Sequence, residues 1–314
     1  GCSLFVDDKI VFSSSEERYT RKKSDSLFPE NSIKHALEYC NVEPNELDHI
    51  LICGNRLSLI PSIMREYSTF NVDDQLRSMK EYWYPKLVEK KNISYVKLFK
   101  NKINLENYPF NTEWGKKFDY FSLENPYSVD DERKVSEFFI TTLSSFLNIE
   151  KSKISHVEHD TCHASYALYG SPIREKNTLV VTADAWGDDL SATISIFDGE
   201  KINRVKEYHH KDFQLARIYR YTTLVLRMLA NEHEYKVMGL APYHNSKKTI
   251  EVEEIFNNMQ SINDLEFSFN SEIKDIFHYL EENLRNFRFD QIASGLQSFT
   301  EKLLTTWFSN MSTK

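Results

Sequence analysis

Short apolar strands alternate with amphipathic stretches along this chain, and that alternation predicts an α/β protein. Near the start, Leu4-Phe5-Val6 and Ile10-Val11-Phe12 flank the polar centre Asp7-Asp8-Lys9, a hairpin pattern. A related pattern returns later: the apolar strand Ser191-Ala192-Thr193-Ile194-Ser195-Ile196-Phe197, the acidic turn Asp198-Gly199-Glu200, then Lys201-Ile202. An acidic position follows each copy, Glu16-Glu17 in the first and Glu207 in the second. Two such hairpins predict a duplicated unit, the logic of the sugar-kinase/actin type of fold, in which two ribonuclease-H-like lobes face a nucleotide cleft.

Between the hairpins, Ser32 to Cys40 has helical periodicity and Leu47 to Cys53 reads as a buried strand. An insertion at about 55–130 follows, crowded with aromatic residues that include Tyr67, Tyr82, Trp83, Tyr84, Phe99, Trp114 and Tyr120. Aromatic rings bury large areas, so most are expected to hold a helical subdomain together, with an acceptor-binding wall or a homodimer contact as the other use. Beyond the insertion, a helix from Asp131 leads to the strand Ile154-Ser155-His156-Val157, and a further strand runs from Thr178 to Ala183. Helical patterns then cover 213–230, 249–259, 273–287 and 291–308. The expected organisation is a first ribonuclease-H-like lobe over 1–150, carrying the insertion, and a second over 151–314.

Composition narrows the class. Of 314 residues 40% are hydrophobic and 27% charged, with 8 Gly and 8 Pro, which excludes collagen-like and disordered chains. A formal net charge of −8 gives no general attraction for nucleic-acid phosphates or an anionic bilayer, so neither is an expected partner. Cys2, Cys40, Cys53 and Cys162 form no CxxC pair, and no apolar run approaches the roughly 20 residues of a membrane helix. A cytoplasmic location is expected. The strand pattern at Gly1 and the helical pattern near Lys314 read as those of a chain cut from a larger one.

The sharpest local signal is His159-Asp160-Thr161-Cys162-His163, because histidines four apart on a helix share a face and can converge on one ion. A solvent-exposed or core-satisfied pair is the commoner use of such spacing. Asp184 strengthens the metal reading, since it closes an apolar strand, where ligands gather in α/β sheets, and offers a hard oxygen beside two imidazoles. Glu158 and Asp188 are candidate acceptors for the spare ring nitrogens. A second signal is Glu234-Tyr235-Lys236-Val237-Met238-Gly239-Leu240-Ala241-Pro242-Tyr243, whose charge, glycine and proline suit a cleft loop. There Lys236 is suited to a phosphate, Glu234 to a ribose hydroxyl or to orienting the lysine, and Gly239 to close backbone approach. The alternative is a helix end with a solvated ion pair. Third, the cations that follow the first hairpin, Arg18 and Lys22 among them, are a solvated face or a site for an anionic substrate. No P-loop, GxSxG elbow or HExxH motif is present.

Together, Glu16–Leu37 (EERYTRKKSDSLFPENSIKHAL), His159–Pro172 (HDTCHASYALYGSP), Thr178–Asp189 (TLVVTADAWGDD) and Glu234–Tyr243 (EYKVMGLAPY) resemble the carbamoyltransferases of nodulation-factor and antibiotic biosynthesis. The resemblance covers most of the chain outside the insertion. It implies an amino-terminal domain similar to the tRNA threonylcarbamoylation protein, partnered in the complete protein by a carboxy-terminal acyl-adenylate-forming domain. It also implies that carbamoyl phosphate and ATP, with Mg, give carbamoyl-adenylate, from which a carbamoyl group passes to the hydroxyl of a small-molecule acceptor alcohol. His159, His163 and Asp184 match its metal-ligand positions, with iron the implied divalent metal, and Lys236 with its neighbours is implied to face the nucleotide. Three departures stand out. Asp160 replaces a histidine common in the family, the family's His-Asp strand motif would precede Gly1, and its glycine-rich segment with a fourth ligand would follow Lys314. Two rival readings remain: a tRNA threonylcarbamoyl-type modifier, and a non-catalytic actin-like nucleotide-binding module.

Overall fold

A computed structural model describes residues 1–21, 25, 28–55, 70–102 and 129–313. It is a mixed α/β structure whose described strands form four small sheets. By its internal contacts the chain divides into two units, one of residues 1–70 and 94–158 and the other of 71–93 and 159–314.

The first unit opens with the hairpin of β1 (Cys2–Val6) and β2 (Lys9–Ser14), paired antiparallel. Asp7 and Asp8 at its tip have φ of 48° and 63°, the left-handed conformations of a tight hairpin turn, which short acidic side chains tolerate. Helix α1 (Glu30–Cys40) follows, then β3 (Ile50–Cys53), helix α2 (Val129–Leu147) and β4 (Ile154–Val157). Strands β3 and β4 run parallel, Ile50 opposite Ile154. Phe28, Leu143, Leu147 and Ile154 form the core here, with Ile33 and Leu37 of α1 packed against it. Glu16 is buried at the start of α1. Its carboxylate accepts the main-chain N–H groups of Asn31 (3.0 Å) and Ser32 (2.9 Å), the Asn31 amide (2.6 Å) and the Ser32 hydroxyl (2.8 Å). Pro29, at the N-cap, has no side chain able to cap, and Glu16 takes over that task from across the loop.

The second unit carries helix α3 (His159–Tyr169) and an antiparallel sheet of β5 (Thr178–Gly187), β6 (Leu190–Phe197) and β7 (Ile202–His209). Helices α4 (Leu215–Val225), α5 (Glu234–Leu240) and α6 (Lys247–Asn257) follow. The hairpin of β8 (Gln260–Asn263) and β9 (Glu266–Phe269), which the apolar pattern alone did not reveal, leads to α7 (Ile276–Leu284) and α8 (Phe289–Ser312). Helix α8 is 24 residues long, and its inner face, Ile292, Leu296, Phe299, Leu303 and Trp307, fills the main core beside Val252 and Phe256 of α6. Gly295 lets the two helices touch: a Cβ there would lie 2.4 Å from Val252 Cγ1. Of the aromatic insertion, Tyr67, Trp114 and Tyr120 lie outside the described residues, whereas the short helix Val72–Ser78 puts Leu76, with Met79, against Leu224 of α4 and Phe277 of α7. That stretch is therefore part of the second unit's core.

Candidate metal centre

Helix α3 turns Asp160, Ala164 and Leu168 inward, four residues apart, and the last two meet Val180 and Phe197 of the sheet. Asp160 is fully buried, and its Oδ1 accepts the Thr182 hydroxyl at 2.7 Å, while Thr182 is itself bonded to Thr193 at 2.7 Å. At the position where the resemblance places a histidine, the carboxylate thus ties the helix to the sheet. With that face fixed, His159 and His163 project together along the adjoining face.

Asp184 meets them because β5 breaks its ladder there. Register with β6 is regular from Thr178 to Ala183 and resumes only at the Gly187–Leu190 pair. Such irregularities re-aim side chains. The Asp184 carboxylate is held by the Ala185 main-chain N–H at 2.6 Å, leaving Oδ2 2.7 Å from His159 Nε2 and 3.6 Å from His163 Nε2. The two imidazole nitrogens are 2.9 Å apart. Asp188, at the turn between β5 and β6 with φ of 50°, accepts the His159 main-chain N–H at 2.8 Å. It caps the helix and so sets the ring's position through the backbone.

Gly187 completes the cradle. A Cβ at that position would lie 2.0 Å from His159 Cδ2, so only glycine lets the strand pass beneath the ring. Spacing arguments missed Gly187, although a glycine next to the turn aspartates was the available signal.

The contacts of His159 Nε2 with Asp184 and with His163 cannot both be hydrogen bonds at once. If His159 Nε2 carries the proton it gives to Asp184, it has no lone pair for His163; if it accepts from His163, it has no proton for Asp184. Three lone pairs directed at one point avoid the conflict, and ligand atoms about 2.1 Å from a common cation lie roughly 3 Å from each other, as these do. All three donor atoms lie within 4.8 Å of one another, and the set of two imidazoles and one carboxylate suits a divalent transition metal. Side-chain exposures of 33% for His159, 51% for His163 and 32% for Asp184 leave one side open to solvent. The Asp184 hydrogen bond raises His159 above the ordinary histidine range against the opposing effect of burial, and the same bond lowers Asp184.

The other expected site residues lie elsewhere. Glu234, Lys236 and Gly239 fall on α5, with Ala241–Tyr243 as a short 3-10 turn, so the stretch read as a cleft loop is a helix. One inward residue, Val237, anchors it, and Leu240 precedes a proline only two positions on, which ends it. Lys236 is exposed, its ammonium 5.8 Å from the Tyr235 ring centre, and Tyr235, Met238 and Tyr243 are exposed beside it. Glu234 accepts the Asn231 N–H at 2.6 Å. At Gly239 a Cβ would meet nothing within 4 Å apart from its chain neighbours and its own helix backbone, so packing among the described residues does not require glycine there. Arg18, in the first unit, is exposed on the short helix Glu17–Thr20, and Lys22 lies outside the described residues.

Fold and cluster together define a mixed α/β protein with a two-histidine, one-carboxylate centre between a helix and a strand. The chain belongs to the carbamoyltransferase amino-terminal family: the family's sequence model, Carbamoyltransferase N-terminus, matches residues 1–313. An uncharacterized protein of Synechocystis sp. is 26% identical over 254 residues, 78% of this chain and 33% of its own length. An uncharacterized protein of Methanocaldococcus jannaschii is 24% identical over 241 residues, 77% of this chain and 31% of its own length. The chain thus spans about a third of the curated relatives it matches. Among the described residues, no helix is long and apolar enough to cross a membrane.

Proposed function

We propose that this chain is the transfer domain of an O-carbamoyltransferase, moving a carbamoyl group from carbamoyl-adenylate, made from carbamoyl phosphate and ATP, to the hydroxyl of a small-molecule acceptor. The convergence of His159, His163 and Asp184, in contacts that protons alone cannot satisfy, is the observation that carries this reading. In it the three side chains hold a divalent metal, with iron favoured by the family resemblance. Such a metal supplies a Lewis acid for phosphate and carbonyl oxygens. Gly187 and Asp188 hold the His159 ring, the Asp160–Thr182 contact holds the helix, and Asp184 adds negative charge that keeps both imidazoles directed inward. The exposed row of Tyr235, Lys236, Met238 and Gly239 on α5 offers a cation and apolar surface to a nucleotide. The two hairpins are read as the matching edges of two ribonuclease-H-like halves of the actin type, and the acyl-adenylate is formed by a further domain of the complete protein.

The test is an assay of the complete protein with carbamoyl phosphate, ATP and candidate alcohols. AMP release that depends on the alcohol, and that falls at least about 100-fold in His163→Ala, supports the proposal. AMP release unchanged by that substitution contradicts it, and carbamoylation of tRNA in place of an alcohol would move the assignment to the tRNA-modifying type.

A further inference from the structure

Helix α4 carries a second polar cluster that the transfer chemistry leaves unused. Arg217, Arg220 and Tyr221 fall at i, i+3 and i+4, hence on one face, and Leu224 continues that face into the core beside Leu76, Met79 and Phe277. Both arginines are partly buried, and both guanidinium groups lie over the same ring, 5.8 Å and 5.4 Å from the Tyr221 centre. Two like charges share one partly dehydrated spot. Arg217 is engaged locally, with Nη1 donating to Gln214 Oε1 at 3.2 Å. Arg220 Nε, like Arg217 Nε, is buried without a hydrogen-bond partner, and among the described residues no carboxylate pairs with Arg220. Burial pushes the Tyr221 phenol up, but the two neighbouring guanidinium groups outweigh it and hold the phenol below the ordinary tyrosine range.

A buried guanidinium N–H without an acceptor is costly, and a second cation beside it raises the cost. Both are offset by one kind of ligand. A guanidinium fork presents parallel N–H donors matched to the oxygens of a phosphoryl group, and two forks balance its two negative charges. We propose that Arg220, with Arg217 and Tyr221, forms a binding site for the phosphoryl group of a small molecule. The site is built from the α4 face, whose residues are not among the metal donors, and so it stands independently of the metal reading. Arg220 supplies the unmet donor, Arg217 the second charge, and the Tyr221 ring holds the two guanidinium planes in place through cation–π contact.

The experiment is a titration of the purified protein with inorganic phosphate and, separately, with acetate, followed by calorimetry and by the arginine 15Nε resonances. Phosphate is expected to bind, to shift the Arg220 Nε resonance and to bind more tightly than acetate. Arg220→Gln should weaken phosphate binding about tenfold or more and Arg220→Lys less. Circular dichroism checks that each variant is folded, and the wild-type resonance shift tests the site even where a variant is not. Phosphate binding equal in wild type and folded Arg220→Gln overturns the proposal, as does a wild-type Arg220 resonance that phosphate does not move. Acetate binding as tightly as phosphate would overturn the phosphoryl assignment in favour of a carboxylate. Loss of binding in His163→Ala with Arg220→Gln unaffected would return the phosphate to the metal centre.

Discussion

Glycine 187 does more for the candidate centre than its lack of a side chain suggests. Because a Cβ would fall 2.0 Å from His159 Cδ2, Gly187→Ala must displace the imidazole or the strand. Metal affinity is expected to drop by at least about tenfold, with a stability cost of about 1–3 kcal/mol, both readable from metal titration and thermal unfolding. Glu16 gives a second residue-scale prediction. Burial raises its carboxyl, but the hydrogen bonds from Ser32 and Asn31 prevail and hold it below the ordinary glutamate range. A folded-state value below the unfolded one means that this stabilisation is complete above the unfolded value of about 4.3 and is lost as pH falls through the lowered one. Glu16→Gln should therefore lower stability by about 1–3 kcal/mol at neutral pH and flatten the decline below about pH 4, as measured by denaturant unfolding across pH. At this scale the sequence put forward the three side chains that the structure brings together, and hid their supports. The i, i+4 histidines and an aspartate at the end of the apolar run Thr178–Ala183 are regular patterns, whereas the roles of Gly187, Asp188 and Thr182 come from contacts between elements.

Among the elements, hairpins were legible wherever apolar alternation surrounded an acidic turn. Asp7-Asp8, and Asp188 within the turn before β6, hold positive φ, and Gly199 does the same in the turn before β7. The β8–β9 hairpin escaped notice because its strands are four residues each, yet its signal was of the same kind: Asn263-Asp264, with Asp264 at φ 56°. The segment from Glu234 was misread for the opposite reason. Its glycine and proline suggested a loop, but Gly239 sits one residue from the end of α5 and Pro242 beyond it, where both are compatible with a helix. The contact of α6 with α8 supplies the test at this scale. Gly295→Ala places a Cβ 2.4 Å from Val252 Cγ1, and is expected to destabilise by about 1–3 kcal/mol. Adding Val252→Ala, which removes that atom, should recover part of the loss in a double-mutant cycle by thermal or urea unfolding.

For the whole molecule, two general properties were readable early: a mixed α/β class from the alternation of patterns, and family membership from four separated segments, of which Glu234–Tyr243 is the most specific. Contacts join 71–93 to 159–314 in the second unit, because Leu76 and Met79 complete a core whose other side chains lie far along the chain. Hydrophobic burial between distant segments leaves no local periodicity to read. The central claim is that two imidazoles and one carboxylate share one cation, and the most direct test is metal content with X-ray absorption of the protein purified without chelators. About one equivalent of divalent metal, with nitrogen and oxygen neighbours that include two imidazoles, is expected in the wild type. That signal should disappear in both His163→Ala and Asp184→Asn while the fold persists. Metal content unchanged in both variants, or a wild-type protein that binds none under iron- or zinc-replete anaerobic conditions, would contradict the account.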